Sequence, residues 1–241
     1  MPSRWQNLEH NRALWNRYAK TWDKKRINVD NPEIGEEERA AYLTFLGDEW
    51  GRRSDVDTIV EDYIYPYITP DSVVAEIGVG GGRIASRVAG KVKELHALDI
   101  SKEMLEKART ALADHTNTRF HLLDYPEFPD TLIERCDFIY SFDVFVHLDL
   151  HTMWKYFRQI HRALRTGGHA FIHTSNLKAP GGWERFSSQE EFSVIDHYPI
   201  SPEIIDILAE RSGLKIIKSS IPDPANFYLN RDYLVILEKN G

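Results

Sequence analysis

Three glycines at alternate positions and two acidic residues make up the part of the sequence with the clearest chemical meaning. The stretch VVAEIGVGGG carries Glu76, followed by Gly78, Gly80 and Gly82, and Asp99 ends the next apolar stretch, ELHALD. Glycines after a strand let a ligand approach the backbone and leave N–H groups at a helix start open to it. An acidic residue at the next strand tip can accept the hydroxyl protons of a ribose. The pattern therefore predicts a site for a ribose-containing ligand.

The spacing around the glycines separates the possible ligands. A dinucleotide site uses G-x-G-x-x-G/A, but the sixth position counted from Gly78 is Arg83. A phosphate-binding loop would need Gly-Lys-Ser/Thr, a tripeptide that does not occur in the sequence. Glu76 would repel a pyrophosphate and attract a cationic amino group. These residues disfavour a nicotinamide-dependent reductase and favour a cationic ligand.

Side chains that could act as a general base follow the later strands. His147 and Asp143 come directly after the predicted fourth strand, His173 ends the fifth, and His197 lies in an aromatic-rich segment beyond it. A group in such a position can take the proton of a hydroxyl or an ammonium acceptor. Because the chain has 10 histidines, each of these can equally be structural, and Asp143 can equally cap a turn.

The elements that would position these groups alternate along the middle of the chain. Strands are predicted at 73–78, 94–100, 118–124, 137–142 and 169–174, with helices at about 82–89, 101–113, 129–134 and 150–165. Such alternation builds right-handed βαβ units and a parallel sheet, whose ligands lie beyond the carboxyl ends of the strands. Ser101 is predicted to cap the helix after the second strand.

The two ends of the chain follow other patterns. Helices are predicted at 7–26, at about 36–47 and at 55–65. An irregular segment over 176–200 precedes a helix that Ser201 and Pro202 open, and LKIIKSS and YLVILEK then predict two more strands. The prediction is a single α/β domain with seven strands and N-terminal helices.

Composition and charge limit the partners. The chain has 241 residues, 42% of them hydrophobic and 28% charged, with a net charge of -7, which is typical of a globular protein and makes nucleic acid an unlikely partner. The single cysteine, Cys136, excludes an internal disulfide. No apolar stretch approaches the roughly 20 residues that a membrane span needs. We expect a cytoplasmic protein, because the N-terminus also lacks a secretory apolar core.

The sequence resembles the class I methyltransferases that depend on S-adenosylmethionine (SAM). The resemblance covers about residues 60–240 and rests on EIGVGGG, on ALDIS, on the Asp124-Tyr125 pair after the third strand, and on DFIYSFDVFVHL followed by LRTGGH. In the last motif, Thr166 stands where the family usually has proline. The resemblance implies a three-layer Rossmann-like sandwich whose seventh strand is antiparallel between the fifth and sixth. It also implies SAM as cofactor, S-adenosylhomocysteine as product, and no metal.

The same resemblance implies roles for individual residues. It assigns Glu76, Gly78, Gly80 and Gly82 to the methionine end of the cofactor, Asp99 to the ribose, Ile100, Met104, Asp124 and Tyr125 to the adenine, and Ser141 and Phe142 to the sulfonium. Simpler interpretations stay open for three of them. Asp99 can be only a cap of the following helix, Asp124 can be a turn residue, and Met104 can belong to the core.

Three segments could cover the site or bind the acceptor. Tyr18 and Trp22 share a helix face with Leu14 and could cover the sulfonium by cation–π contact, or could only pack against the domain. Trp50 is a second candidate. Long segments beside a site are often functional, and the candidates within 176–200 are Trp183, Arg185, His197 and Tyr198.

The predicted function is methyl transfer from SAM to oxygen or nitrogen of a small-molecule or sugar-containing acceptor. Within the single domain, residues 1–65 would form a helical cap, 70–175 the SAM-binding core, 176–200 a lid, and 201–241 the final helix and strand pair. Two alternatives stay open: a protein or RNA methyltransferase, and a catalytically inactive SAM-binding domain with a regulatory or scaffold role. The sequence leaves the oligomeric state undefined.

Overall fold

The strands define the architecture of this computed structural model, which describes residues 6–22, 43–191 and 196–240. Within those residues, seven strands form one sheet in the order β3-β2-β1-β4-β5-β7-β6. Their bounds are β1 Val73–Ile77, β2 Glu94–Asp99, β3 Thr118–Leu122, β4 Cys136–Ser141, β5 Leu164–Ser175, β6 Leu214–Ser219 and β7 Asp232–Lys239. The first five strands pair in parallel, and β7 runs antiparallel to both β5 and β6. The predicted sheet, including its antiparallel last strand, is confirmed.

Helices cover both faces of this sheet. The α-helices of the described residues are α1 Gln6–Thr21, α2 Arg53–Tyr63, α3 Ala85–Val88, α4 Lys102–Ala111, α5 Leu150–Ala163, α6 Pro180–Ser187, α7 Pro202–Arg211 and α8 Phe227–Arg231. Alternate strand residues feed two apolar layers: Ala75 and Ile139 pack toward α5 and α7, whereas Val74 and Phe138 pack toward α2 and α4. This alternation along each strand produces the predicted three-layer sandwich.

Several predicted helices are shorter than the sequence indicated. The helix expected over 82–89 is reduced to α3, because the glycine loop before it has left-handed backbone at three positions. The segment 129–134 makes only one 3-10 turn, Asp130–Leu132. Of the helix expected over about 36–47, residues 36–42 lie outside the described residues, and 43–47 form a turn. The helix expected over 7–26 ends at Thr21, and residues 23–26 are likewise outside the description.

Other differences between the predicted and the observed helices arise from tertiary contacts, which the hydrophobic periodicity of a sequence does not predict. The segment 176–200 contains α6, whose Gly182 lies so close to its neighbours that a Cβ there would be 1.9 Å from the carbonyl oxygen of Asn176. A second short helix, α8, lies between the last two strands, where the sequence analysis predicted no helix. Ser101 caps α4 as predicted, with its Oγ accepting from the N–H of Met104 at 3.1 Å. Ser201 precedes α7 but makes no side-chain capping bond.

Polar side chains of α1 bind it to the loops at the carboxyl ends of β2, β3 and β4. Arg12 donates to the carbonyl oxygens of Ile100 and Leu123, at 3.2 Å each, and also to that of Asp124. Similarly, Asn11 donates to the carbonyl oxygen of His147 at 3.2 Å. These bonds tie one helix to the loops after β2, β3 and β4.

We expect replacement of Arg12 by methionine to loosen α1. Hydrogen bonds from a charged donor contribute about 1.5–3 kcal/mol each, so α1 should open more often than the sheet does. Native-state hydrogen exchange should show faster exchange in α1 and unchanged protection in β1 and β4. Arg17→Met, an exposed position of the same helix, is the control. Equal exchange of α1 in both variants would contradict the assigned role.

Candidate functional site

A cavity of about 810 Å³, measured to its open mouth, lies beyond the carboxyl ends of β1, β2, β3 and β4. Its floor is formed by the loops after those strands, including the glycine loop and residues 142–144. Its roof consists of Leu8, Asn11 and Trp15 from α1 together with Leu46 and Trp50. The cavity is where an open parallel sheet is expected to hold its ligand.

Gly78 and Gly80 of the loop differ in why a side chain is excluded or tolerated at each position. A Cβ on Gly78 would lie 2.3 Å from Cγ2 of Val144, and its φ of 73° is left-handed, so a side chain is excluded by contact and by conformation. Gly80 is also left-handed, but a Cβ there would meet nothing within 4 Å. Both glycines line the cavity. The space beside Gly80 is therefore open to a ligand that approaches the backbone closely.

Glu76 is a buried acid at the wall of this cavity. The hydroxyl of Tyr140 donates to its Oε2 at 2.8 Å. Burial nevertheless raises the pKa of Glu76 well above its usual value, and the nearby Asp99 adds to this effect. A carboxylate that costs this much to ionise would gain from a cationic group in the cavity.

Asp99 accepts hydrogen bonds at the start of α4 and also lines the cavity. One oxygen accepts from the N–H of Ser101 at 2.8 Å at the start of α4, and the other accepts from the N–H of Gly80 at 2.9 Å. The side chain also lines the cavity, and burial raises its pKa to about 6. Each oxygen has a second lone pair that can accept a further hydrogen bond.

The structure brings together most, but not all, of the residues predicted to bind a cofactor. Ile100, Met104 and Phe142 line the cavity with the residues already described. Ser141 instead donates to the carbonyl oxygen of Ile77, and Gly82 packs closely against α4. Neither of these two lines the cavity.

The predicted adenine contacts after β3 lie at the surface. Asp124 is exposed, and half of the Tyr125 side chain is exposed, with neither among the residues of the cavity wall. The carbonyl of Asp124 accepts from Arg12 and thereby helps to position α1. Leu123 is the residue of this loop that reaches the cavity.

Two tryptophans line the roof of the cavity, and of these only Trp50 was a predicted candidate. Tyr18 and Trp22 donate to Oε1 of Glu49, at 2.7 and 3.0 Å, outside the cavity wall. Trp15 and Trp50 line the cavity instead, with ring centroids 5.8 Å apart. The spacing of Leu8, Asn11 and Trp15 by three and four residues was the sequence signal for this second face of α1.

A buried ion pair, which sequence analysis did not identify, forms one side of the cavity. Arg83 Nη2 lies 2.5 Å from Oδ2 of Asp143, and Nη1 donates to the carbonyl oxygen of Gly47 at 2.7 Å. The guanidinium lies 5.7 and 5.4 Å from the ring centroids of Trp50 and Phe142. Burial alone would raise the pKa of Asp143, but Arg83, followed by His173, lowers it. Asp143 is therefore an anion held by a cation, an arrangement that makes it a weak base.

His173 is fully buried behind this pair. Its Nδ1 accepts from the backbone N–H of Asp143 at 3.0 Å, and its Nε2 lies 2.9 Å from Oδ2 of Asp232. The proton of the neutral ring must consequently be on Nε2. His173 does not line the cavity; its Nδ1 accepts from Asp143 and its Nε2 lies close to Asp232, so it joins these two acids behind the cavity wall.

His147 has the opposite tautomer. Its Nδ1 lies 3.2 Å from the carbonyl oxygen of Asp196, which can only accept, so Nδ1 carries the proton and Nε2 keeps its lone pair. Burial lowers its pKa to about 4, and its ring contacts that of Trp15 at 5.2 Å between centroids. His147 lies behind Trp15 and does not itself line the cavity.

Two of the four candidates within 176–200 line a second, smaller pocket. Arg185 and His197 line it. Trp183 is on the outer side of α6 with 57% of its surface exposed. Tyr198 contributes its backbone, because its N–H donates to Val146 and its carbonyl accepts from Ser175.

Two further features concern metals and membranes. In residues 6–22, 43–191 and 196–240, no three His, Cys, Asp or Glu side chains come together as a metal site. None of the helices in this part of the chain is long and apolar enough to span a membrane. The cytoplasmic location stays a prediction.

Comparison with known proteins identifies the class of domain. The family model described as a methyltransferase domain matches residues 74–168, from β1 into β5. The match covers less than half of the chain and agrees with the fold of the solved structures described below, so the predicted resemblance to SAM-dependent methyltransferases is confirmed. SAM is the cofactor of the family. A comparison with curated protein sequences finds no match.

Solved structures share the fold at low sequence identity. A magnesium protoporphyrin IX methyltransferase from Synechocystis, with bound S-adenosylhomocysteine, is 13% identical with a TM-score of 0.66, over 97% of this chain and 100% of that chain. A methyltransferase described as putative, from Bacillus halodurans, is 15% identical with a TM-score of 0.61, over 78% and 100%. A phosphoethanolamine N-methyltransferase from Haemonchus contortus, in complex with phosphomonomethylethanolamine and S-adenosylhomocysteine, is 18% identical with a TM-score of 0.60, over 79% and 53%. These likenesses establish the fold.

The two loop glycines should respond differently to alanine. Gly78→Ala combines a forced left-handed backbone with a clash against Val144, so we expect a loss of about 3 kcal/mol or more in unfolding free energy. Gly80→Ala carries only the conformational cost of about 1–2 kcal/mol. Urea denaturation of both variants measures the difference, and equal losses would show that the contact with Val144 is unimportant.

Proposed function

We propose that this protein transfers a methyl group from SAM to oxygen or nitrogen of a small-molecule or sugar-containing acceptor. The observation that carries the proposal is the presence of two buried acids, Glu76 and Asp99, in the wall of one cavity beside the glycine loop.

The residues of the cavity fit SAM. Glu76 would receive the ammonium of the methionine part, and this cation would offset the cost of ionising the buried acid. Asp99 has unused lone pairs for ribose hydroxyls, and Ile100 and Met104 provide an apolar seat for the adenine. The open space beside Gly80 allows the backbone to be approached closely.

The chain's own part in the reaction is to bind, orient and exclude water. SAM supplies an already activated methyl group, so holding an acceptor in line can provide much of the rate acceleration. Trp15 and Trp50 shield the cavity, and their ring faces suit a cationic ligand. Of the three predicted bases, His147 is the one whose Nε2 keeps a lone pair, but its ring lies behind Trp15 and outside the cavity wall, so an acceptor would have to reach it past Trp15.

The expected division of the domain is part of the same proposal. Residues 1–65 would act as a helical cap, 70–175 as the SAM-binding core, 176–200 as the acceptor-side lid and 201–241 as the closing helix and strands. The position of α1 over the cavity supports the role of the cap. The cavity's enclosure by α1 also favours a small acceptor over a folded protein or RNA.

Titration calorimetry with SAM and S-adenosylhomocysteine tests the shared premise. We expect both to bind, and Asp99→Ala to weaken each by about 1.5 kcal/mol or more, a little over tenfold, because a charge-assisted bond is lost. Asp71→Ala, at an exposed turn before β1, is the matched control. Absence of binding by the wild-type protein at millimolar ligand would refute the proposal. Binding without product formation on any acceptor would instead favour an inactive SAM-binding domain.

The affinity for either ligand should increase with pH. Burial favours the protonated form of Glu76 in the free protein, whereas a bound ammonium favours the carboxylate, so binding is expected to release a proton. Affinity should therefore rise with pH, by at most about tenfold per pH unit, for as long as Glu76 ionises on binding and the ligand's amine stays cationic. Glu76→Gln should remove this component, and Glu61→Gln, an exposed control, should keep it. An unchanged slope in Glu76→Gln would assign the dependence to Asp99.

A further inference from the structure

The second pocket, of about 260 Å³, lies beside the carboxyl end of β5 and is rich in hydrogen-bond donors. Polar side chains that line it are Ser175, Asn176, Arg185, Gln189, His197 and Arg231. Two of these are arginines, and none is an acid. Such a lining suits a ligand with several negatively charged oxygens.

The two arginines of the pocket differ in how their positive charges are paired with nearby carboxylates. Arg231 donates to both oxygens of Asp232, with Nε and Nη2 distances between 2.6 and 3.0 Å. Within the described residues, Arg185 makes one ion pair, with Asp196 at 3.7 Å from Nη2, and 36% of its side chain is exposed. Its Nε is buried and has no hydrogen-bond partner among the described residues.

An unpaired buried N–H next to a second cation is costly. A buried polar group without a partner gives up the hydrogen bond that it would make to water. Burial, followed by repulsion from Arg231, lowers the pKa of Arg185. The carboxylates of Asp196, Asp232 and Asp143 offset this effect only in part. A bound anion would satisfy the Nε and offset the repulsion.

A shared wall places this pocket beside the first cavity. Asp232 leads through His173 to Asp143, which is itself in the wall of the first cavity. On the other side, the rings of His147 and His197 lie 5.7 Å apart, and His147 contacts Trp15 of the cavity roof. The two pockets share no lining residue, so this layer of buried side chains, which includes His173 and His147, separates a ligand in the second pocket from the first cavity.

We infer that the second pocket binds an anionic group of the acceptor, a carboxylate or a phosphate monoester, with Arg185 as the principal contact. The inference rests on the proposed methyl transfer and deepens it by naming the class of acceptor. Arg231, fixed by Asp232, supplies the second positive charge. An acceptor held in this way presents its nucleophile toward the cavity from the side of β5.

The test uses the full chain saturated with S-adenosylhomocysteine and titrated calorimetrically with methyl phosphate and, separately, with acetate. We expect at least one of the two anions to bind, and the stronger one to identify the group recognised. Arg185→Met should weaken that binding by about tenfold or more, as expected for loss of a charged donor. Arg162→Met is the matched control, because Arg162 is near the other end of β5. Arg185→Lys, which keeps the charge and loses the Nε, should be intermediate.

The outcomes separate this inference from the proposed function. S-adenosylhomocysteine affinity should be the same in the wild type and in all three variants. If that ligand binds but neither anion does, or if Arg185→Met binds the anion as tightly as the wild type, the inference is wrong while the proposed function stands. If S-adenosylhomocysteine itself fails to bind, the proposed function is wrong, and anion binding measured without it still tests the pocket.

Discussion

The buried ion pair between Arg83 and Asp143 is the interaction on which most of the site depends. Asp143 has a left-handed backbone, with φ of 57°, immediately after β4, and this geometry turns its carboxylate toward the residue that follows the glycine loop. The same pair engages the carbonyl of Gly47 and the hydroxyl of Tyr228. Removing one partner of such a pair commonly costs about 3–5 kcal/mol, since the other charge is left buried. One interaction thus joins segments that are far apart in the sequence.

This pair also explains the unequal behaviour of the acids around the cavity. Asp143 has a cation in contact and a lowered pKa, whereas Glu76 and Asp99 have hydrogen bonds without a cation in contact, and their pKa values are raised. Hydrogen bonds from neutral donors compensate a buried charge less than a guanidinium does. The two uncompensated acids therefore give the cavity a selectivity for cations that the ion pair does not cancel.

The sequence predicted the local parts of the site and missed those made by distant contacts. Glu76, Gly78, Gly80 and Asp99 were found because the strand, the turn and the acid at the next strand tip are all local signals. Arg83 was noticed only as a departure from a dinucleotide motif, since its partner is sixty positions away. Likewise, α6 was not predicted because it contains two glycines, and Gly182 is explained by its close approach to the carbonyl oxygens of Asn176 and Arg231.

The direction of β7 explains why cationic and anionic groups meet beside β5. Since β7 is antiparallel, its first residue, Asp232, pairs with Ser175 at the carboxyl end of β5. A parallel strand would have placed Lys239 and its neighbours there instead. The reversal also carries Arg231 to this edge of the sheet, where Glu76 and Asp99 lie at the carboxyl ends of β1 and β2. The sheet topology thereby separates an acidic side of the site from a basic side, an arrangement suited to a cationic methyl donor and an anionic acceptor.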